Sequence, residues 1–441
     1  MSQIIQPRIL KGFRDFLPEQ EIPRALLLEK LTAVFRNSGF VPIDTPALEY
    51  AEILLRKSGG ETEKQVFRFT DNGGRDIALR FDLTVPFARF VAEHKNELYF
   101  PFKRYHMAKV WRGEKPQAGR YREFMQCDFD IIGADSAGSD FEILSLIRNA
   151  FDAIAVSGIT IRISHRGIFN RLLARLGLSG KSEDILRLAD KAAKISGTDF
   201  VSQMHALTES ADKAEAVLHY IRLSESAKEQ GFERTLDEME AAAGGPAADT
   251  ERLREIYACM QAEEIEDTFC LDPSITRGLD YYTGIVYETF LNGLPEIGSV
   301  CSGGRYDNLA GLYMKEEISG VGASIGLDRL IAALEKLQPG SAAKGFTQAL
   351  VFWQENSRTE DRYRLAAEIR KYGVACEVFP DQKKPGIQYA WAERKGIRWG
   401  LFPDGNGQCT LKDLFSRENT EGLSAEEAAE KIRAAGPGNA Q

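Results

Sequence analysis

The sequence has 441 residues, of which 43% are hydrophobic and 27% charged, and its formal net charge is −9. This length predicts two or three domains, and the composition is typical of a soluble globular protein. No apolar run approaches the ~18 residues of a membrane span, and residues 1–8 lack the apolar core of a signal peptide. We therefore expect a cytoplasmic protein without membrane association. The acidic balance argues against a general attraction to nucleic acid but allows a local basic surface.

The spacing of cysteine and histidine residues gives no indication of a metal site. The six cysteines include no Cys-x-x-Cys pair, and the five histidines include no ligand pair at helical spacing. We therefore expect neither a zinc ribbon nor a redox motif, and no structural metal bound by the protein.

The first part of the chain predicts a largely antiparallel sheet with helices beside it. Apolar residues at helical spacing indicate a helix that ends at Gly39. Asp71-Asn72-Gly73-Gly74 lies between two strand-like stretches and is a strong hairpin signal. The predicted helices cover 19–38 and 85–92, and the predicted strands cover 40–43, 66–69, 76–80, 102–112 and 124–132.

The pattern changes twice after residue 168. Residues 169–262 carry helical patterns without strand signals, and strand character resumes at Ile285. After Gly340-Ser341-Ala342-Ala343, short strands alternate with helices, which predicts a small α/β domain. The fold class is therefore α+β. The predicted domains are a sheet domain in two parts, 1–168 and 263–338, a helical insertion, 169–262, and a C-terminal domain, 345–441.

The strand predicted at 124–132 has an unusual polar face. Side chains alternate between the two faces of a strand, and one face carries Phe124, Gln126, Asp128 and Asp130. Because an unpaired buried charge is costly, this face either meets solvent or lines a polar cleft. Arg112 ends the preceding strand, and the joining loop supplies Arg120 and Arg122. Cations and acids therefore converge here, either around a cleft or as ion pairs on an exposed face.

Three other segments combine glycine with polar or aromatic side chains. Residues 277–284 place a guanidinium group, which suits carboxylate or phosphate, beside two phenols. Asp82 and Thr84 precede a helix and are either cap residues or groups suited to an ammonium ion. Residues 301–307 and 320–330 are glycine-rich, so their backbone can approach something flat or charged. Their spacing breaks the Gly-x-Gly-x-x-Gly register of a dinucleotide site.

Together these segments resemble the class II aminoacyl-tRNA synthetases and, within them, the histidyl-tRNA synthetase family. Residues 40–46 with the preceding helix look like the first motif of the class, which forms the dimer, residues 111–126 like the second and residues 320–329 like the third. Segments 82–84, 277–284 and 302–307 look like segments particular to the histidyl enzymes. The resemblance implies a homodimer with an antiparallel-sheet catalytic domain, an inserted helical domain and a C-terminal α/β anticodon-binding domain.

The resemblance also implies a reaction and a set of site residues. ATP, with Mg²⁺, would activate L-histidine to histidyl-adenylate, and histidine would then pass to the 3′ end of tRNA(His). The implied ATP-binding residues are Arg112, Glu114, Arg120, Phe124 and Arg329. The implied histidine-binding residues are Asp82, Thr84, Gln126, Asp130, Arg277, Tyr281 and Tyr282. Arg277 and Arg112 would be catalytic, and Lys115 and Gln117 would meet the acceptor end of the tRNA.

The chain departs from some relatives of this family at three of these positions. Lys115 stands where many bacterial relatives have arginine, and lysine keeps the charge but loses the bidentate geometry. Asp82 and Asp130 replace glutamates of some relatives, which requires a slightly tighter pocket. The resemblance also suggests a basic surface on the C-terminal domain, formed by Lys383, Lys384, Arg394, Lys395, Arg398 and Lys412.

Two other functions are compatible with parts of this pattern. One is a catalytically silent paralogue that regulates ATP phosphoribosyltransferase; such proteins usually lack the C-terminal domain and the phosphate-binding arginines. The other is a tRNA-binding module with a vestigial pocket. The chain keeps the C-terminal domain and the arginines of the implied site, Arg112, Arg120, Arg277 and Arg329. These features favour the enzyme.

Overall fold

The computed structural model of the chain describes residues 4–55, 63–115, 119–190, 192, 195–276, 281–307, 309–337, 344–355 and 357–436. Two predicted site residues, Arg277 and Gln117, lie outside these ranges. The chain divides into two compact units, one formed by Met1–Arg14 and Leu28–Pro339, the other by Asp15–Leu27 and Gly340–Gln441. The four domain ranges expected from the sequence stay predictions.

The first unit contains eleven described strands, and eight of them form one large sheet. Its strands are β1 Val41–Pro42, β2 Leu48–Tyr50, β3 Arg68–Thr70, β4 Asp76–Leu79, β5 Phe102–Trp111, β6 Glu123–Ile132, β7 Ile159–His165, β8 Phe269–Leu271, β9 Ile285–Leu291, β10 Cys301–Tyr306 and β11 Gly320–Gly326. Among the described residues, eight strands pair in the order β1-β5-β6-β11-β10-β9-β7-β8. The β1–β5 and β7–β8 pairs are parallel and the others antiparallel. The predicted antiparallel sheet is therefore confirmed.

The hairpin signal at Asn72-Gly73 is also confirmed. Strands β3 and β4 pair antiparallel on either side of it, and β2 pairs with the other edge of β4. The Asp71 side chain accepts hydrogen bonds from the backbone N–H groups of Gly73 and Arg75, both at 2.9 Å. This local bonding closes the turn, which is the common role of an aspartate that begins a turn.

The described part of the chain before residue 340 also contains α-helices. They are α1 Pro18–Asn37, α2 Ala51–Leu55, α3 Thr84–His94, α4 Ala137–Ala153, α5 Arg166–Arg175, α6 Ser182–Asp190, α7 Gly197–Thr208, α8 Ala211–Gln230, α9 Phe232–Ala243, α10 Ala248–Ala262 and α11 Leu327–Leu337. The described part of the interval 169–262 contains helices and no strand, as its patterns predict.

One face of the large sheet is apolar and packs against α1. Leu31 and Phe35 are fully buried, and the Phe35 ring lies 4.8 Å from the Phe129 ring of β6 and 5.7 Å from the Tyr105 ring of β5. Burying one such side chain stabilises a fold by roughly 1.5–3 kcal/mol. Because side chains alternate along β6, the opposite face carries its polar residues.

The second unit has the alternating strands and helices that the sequence predicts. Its strands are β12 Ala349–Val351, β13 Cys376–Val378, β14 Trp399–Pro403, β15 Cys409–Asp413 and β16 Asn419–Leu423, and its helices are α12 Thr359–Lys371, α13 Pro385–Arg394 and α14 Ala425–Ala434. The sheet order is β13-β12-β14-β15-β16, with β12 parallel to both neighbours. None of the described helices in either unit combines the length and apolar character needed to cross a membrane.

Candidate active site

The polar face of the large sheet is buried. Gln126, Asp128 and Asp130 point to this face of β6, and each is less than 10% exposed. Arg104 of β5 lies opposite Asp130, and Ser324 of β11 lies opposite Asp128. The sequence allowed either a polar cleft or an exposed face with surface ion pairs. The exposed face is wrong. The acids and cations instead belong to an enclosed polar region.

A cavity of about 140 Å³ lies beside this face. Its lining includes all five predicted ATP-binding residues, Arg112, Glu114, Arg120, Phe124 and Arg329. The three arginines come from the residue after β5, from the loop before β6 and from α11. The fold therefore gathers guanidinium groups that are far apart in the sequence. Three such groups around one hollow suit a polyanion such as a triphosphate.

Arg112 is held between this cavity and the segment that precedes α3. Its Nε atom donates a hydrogen bond to the carbonyl oxygen of Phe81 at 3.2 Å. Its guanidinium carbon lies 4.3 Å from the Phe81 ring centre and 5.1 Å from that of Phe124. Burial lowers the pKa of Arg112, against the opposing influence of Asp82 and Glu114. The side chain is thus fixed with its charge close to both the cavity and Asp82.

The N-terminal segment holds two walls of the cavity together. Arg14 donates from Nη2 to Asp328 Oδ1 at 2.6 Å and from Nη1 to the Tyr121 hydroxyl at 3.0 Å. The second oxygen of Asp328 accepts from the backbone N–H of Met125 at 2.7 Å. Tyr121 and Asp328 both line the cavity. No sequence pattern indicates Arg14, because a single arginine near the start of the chain belongs to no periodic stretch or motif.

A second group of predicted residues meets next to Arg112. Asp82 is buried, and one of its oxygens accepts from the backbone N–H of Val85 at 3.0 Å. The rings of Tyr281 and Tyr282 lie edge to face, 5.0 Å apart, and pack with Val85 and Ala88 of α3. Burial raises the pKa of Asp82 and of both tyrosines. Thr84, the first residue of α3, is half-buried beside this group.

Asp130 is tightly surrounded. Its Oδ1 accepts from the Tyr306 hydroxyl at 2.5 Å, and Arg104 Nη2 lies 2.7 Å from Oδ2. A Cβ atom on Gly322 would lie 2.0 Å from Oδ1, so only glycine fits opposite this aspartate. The backbone approach that we expected from the glycine-rich segment is therefore, at this position, an approach to a side chain of the protein itself. Burial raises the pKa of Asp130, and Arg104 opposes the shift.

The structure places the remaining predicted residues as follows. Gln126 lines the cavity, and its amide Nε2 donates to the Ser324 hydroxyl at 2.7 Å. Lys115 is exposed, and Arg277 and Gln117 lie outside the described residues. Arg122, from the same loop as Arg120, donates instead to backbone carbonyl oxygens, so it serves the loop rather than the cavity.

No sequence pattern pointed to Arg104 or Tyr306 as site residues, and none gave Asp128 a role. Arg104 is fully buried, and its guanidinium carbon lies 4.2 Å from the Phe87 ring centre. A signal was available, because Arg104 and His106 follow each other at a spacing of two along β5, as Asp128 and Asp130 do along β6. Matching polar pairs on consecutive antiparallel strands indicate one shared polar face.

Comparisons with known proteins identify the family of the chain. The sequence model of the family described as histidyl-tRNA synthetase matches residues 12–330. A protein of Treponema denticola named histidine–tRNA ligase is 59% identical, and the alignment covers 98% of this chain and 99% of the relative. The chain belongs to the histidyl-tRNA synthetase family.

Solved structures show the same fold. The crystal structure of histidyl-tRNA synthetase from Nostoc sp. PCC 7120 has a TM-score of 0.86 at 29% identity, covering 98% of this chain and 100% of that one. A Bacillus halodurans structure described as an ATP phosphoribosyltransferase regulatory subunit/histidyl-tRNA synthetase has a TM-score of 0.75 at 22% identity, covering 90% and 99%. At that identity the second likeness shows the fold alone.

Proposed function

We propose that this chain is a histidine–tRNA ligase, which activates L-histidine with MgATP and transfers it to the 3′ end of tRNA(His). The observation that carries the proposal is the cavity around which Arg112, Arg120 and Arg329 gather. It lies next to a buried group of acids and phenols, so a polyanion site adjoins a site suited to a polar amino acid. Membership of the histidyl-tRNA synthetase family identifies that amino acid as histidine.

In the first step, a carboxylate oxygen of histidine attacks the α-phosphorus of ATP in line with the departing pyrophosphate. A carboxylate–phosphorus bond forms, and the bond from phosphorus to the bridging oxygen breaks. Both reactants are anions, so the catalyst must offset their repulsion and stabilise the charge on the phosphoryl oxygens. Arg112 would do this from one side and Arg277 from the other. A general base is unnecessary because the carboxylate is already ionised.

The other cavity residues would bind the rest of the nucleotide. Phe124 would stack on the adenine ring, and Glu114 would accept a hydrogen bond from its amino group. Arg120 and Arg329 would neutralise the outer phosphates together with Mg²⁺. The described ranges contain no group of three or more His, Cys, Asp or Glu side chains suited to a metal. At nucleotide sites Mg²⁺ is commonly held by substrate phosphates together with water, and it would supply positive charge to the outer phosphates here.

The buried acids and phenols would bind the amino acid. Asp82 and Thr84 would take its ammonium group and Gln126 its carboxyl end. Asp130 and Tyr282 would bind the two imidazole nitrogens, with Tyr281 beside them. A neutral imidazole has one donor and one acceptor, and a ring that cannot match both leaves buried groups unpaired. Such a mismatch gives discrimination of the order of 10⁴ or more without editing.

In the second step, a hydroxyl of the terminal ribose of tRNA attacks the carbonyl carbon of the adenylate, and AMP leaves. Lys115, exposed in the loop after β5, and Gln117 would meet the acceptor end. On the second unit, Lys383 and Lys384 are exposed and suited to tRNA phosphates. Lys395 and Arg398 pair with acidic neighbours there, so they contribute less free charge.

We also propose that the enzyme acts in the cytoplasm as a homodimer. Four large apolar side chains are exposed on short strands at sheet edges: Val41 on β1, Leu48 and Tyr50 on β2, and Phe69 on β3. Exposed apolar side chains on unpaired edges favour association with another chain. Val41 belongs to the segment that resembles the dimer-forming motif.

Histidine-dependent exchange between ATP and pyrophosphate tests the function. We expect exchange with histidine and none with the other amino acids offered one at a time. A catalytically silent regulator and a tRNA-binding module both predict no exchange with any amino acid. Exchange driven by another amino acid would contradict the proposed substrate.

A further inference from the structure

Asp128 is a buried carboxyl group that no step proposed above uses. It is 2% exposed and lies on the polar face of β6, between Gln126 and Asp130. Within the described ranges, its Oδ1 atom has no hydrogen-bond partner. A buried carboxylate oxygen without a donor is costly. Its position between two proposed histidine contacts therefore points to a ligand as the missing donor.

Asp128 and Asp130 differ in the groups that already contact their carboxyl oxygens. Tyr306 and Arg104 contact both oxygens of Asp130. Ser324 lies opposite Asp128 on β11, and Asp128 forms no ion pair among the described residues. Each carboxyl group has one oxygen without a hydrogen-bond partner, but that oxygen of Asp130 is in ion-pair contact with Arg104, whereas Asp128 Oδ1 has no such contact among the described residues.

The charges on this face favour a ligand that brings a donor. Arg104 lies in ion-pair contact with Asp130. With both acids ionised, the charge on Asp128 has no ion-pair partner among the described residues, because Arg104 contacts Asp130. An aromatic ring with an N–H group, or with a proton shared between ring and carboxyl, would offset that charge.

We propose that Asp128 is a second carboxyl group of the imidazole site and accepts the ring N–H of histidine at Oδ1. This inference rests on the proposed function, since it assumes that histidine is the substrate. Asp128 would thus take the ring contact that was assigned above to Asp130. Tyr306 and Arg104 would hold Asp130 as the back wall of the site, while Asp128 would determine the specificity for a ring that donates. Tyr282 would serve the second ring nitrogen.

The test compares wild type with Asp128→Asn in ATP–pyrophosphate exchange. Asparagine keeps a carbonyl acceptor but not the charge, so the weaker hydrogen bond predicts a KM for histidine about tenfold higher, with the KM for ATP unchanged. The second substrate is thiazolylalanine, which keeps a ring acceptor but has no ring N–H. We expect the preference of the wild type for histidine over thiazolylalanine to fall about tenfold or more in the variant. A residue with only a structural role would not change that preference.

Asp76→Asn, at an exposed residue that pairs with Arg68, is the control and should leave both measurements unchanged. If wild type shows histidine-dependent exchange and Asp128→Asn keeps the wild-type KM for histidine and the wild-type preference, Asp128 is not part of the site. If wild type itself shows no such exchange, the proposed function fails first. Equal rises in the KM values for histidine and ATP would also overturn the inference, because they indicate a general disturbance.

Discussion

Arg305 and Asp140 form a buried ion pair that joins strand β10 to helix α4. Arg305 Nη2 lies 2.6 Å from Asp140 Oδ1, and both side chains are at most 3% exposed. The other oxygen of Asp140 accepts from Arg252 Nε of α10 at 2.5 Å. One carboxylate thus connects the strand that carries Tyr306 to a helix of the segment expected to be the insertion. Residues 302–307, which resemble a histidine-specific segment, owe part of their position to this pair.

We expect Asp140→Asn to destabilise the first unit strongly. Removing one partner of a buried ion pair leaves the other charge uncompensated, at a cost of about 3–5 kcal/mol. Chemical denaturation of the full chain measures the loss. Asp135→Asn is the matched control, since Asp135 also pairs with Arg252, at 2.6 Å, but is 65% exposed. Its loss should be below about 1 kcal/mol, and equal losses in the two variants would contradict the role of the buried pair.

Arg112→Ala should reduce the rate of adenylate formation by a factor of about 10² to 10³ or more, the usual loss for one charge-stabilising donor. Arg112 is the proposed guanidinium at the α-phosphate, so the loss should appear in kcat for ATP–pyrophosphate exchange. Arg68→Ala, at an exposed arginine paired with Asp76, should exchange at the wild-type rate. Near-normal kcat in a folded Arg112→Ala variant would exclude a transition-state role for this side chain.

Arg277→Ala should also lower adenylation by orders of magnitude while the protein stays folded. The sequence alone supports this prediction, because residue 277 lies outside the described ranges. Single-turnover formation of adenylate separates a chemical defect from slow product release. If the single-turnover rate stays close to that of wild type, the proposed position of Arg277 opposite Arg112 is wrong.

The buried carboxylate of Asp128 should make the ligand-free protein less stable near neutral pH than at acidic pH. Burial raises its pKa to about 7, from 3.8 in an exposed aspartate. Between pH 4 and 7 the folded state therefore binds more protons at this site than the unfolded state, so its stability falls as the pH rises. Several groups face Asp128. The cations are Arg104 of β5, Arg80 and Arg112, and the acids are Asp130 of β6 and Asp82. The other groups are His106 of β5, Tyr282 before β9, Cys301 of β10 and Ser324.

Asp128→Asn removes this titration. The variant should gain stability relative to wild type between pH 4.5 and pH 8, by up to about 4 kcal/mol, which corresponds to a pKa raised from 3.8 to about 7. Thermal unfolding of both proteins across this range measures the difference. A difference that does not change with pH would contradict the raised pKa of Asp128.

Sequence patterns predicted the parts of the fold that depend on local rules. The hairpin at Asn72-Gly73 and the two faces of β6 follow from turn chemistry and from the alternation of side chains. Phe35 and Phe129 meet because both lie on apolar faces. Residues 102–112 and 124–132 were expected to form strands and form β5 and β6.

Contacts between distant segments were less accessible from the sequence. The three arginines of the cavity were expected to meet because their segments resemble those of a family, and no spacing rule would have paired Arg112 with Arg329. Arg14 and Arg305 contact partners more than 150 residues away, Asp328 and Asp140. A single buried arginine leaves no periodic signal, so only the tertiary structure reveals its partner.

A crystal structure of the full chain with histidine and a non-hydrolysable MgATP analogue would test the proposed site as a whole. We expect the α-phosphate within hydrogen-bond distance of Arg112 and the outer phosphates beside Arg120 and Arg329. The imidazole should lie between Tyr282 and the two carboxyl groups of Asp128 and Asp130. A triphosphate bound away from these arginines, or an imidazole that contacts neither aspartate, would contradict the proposal.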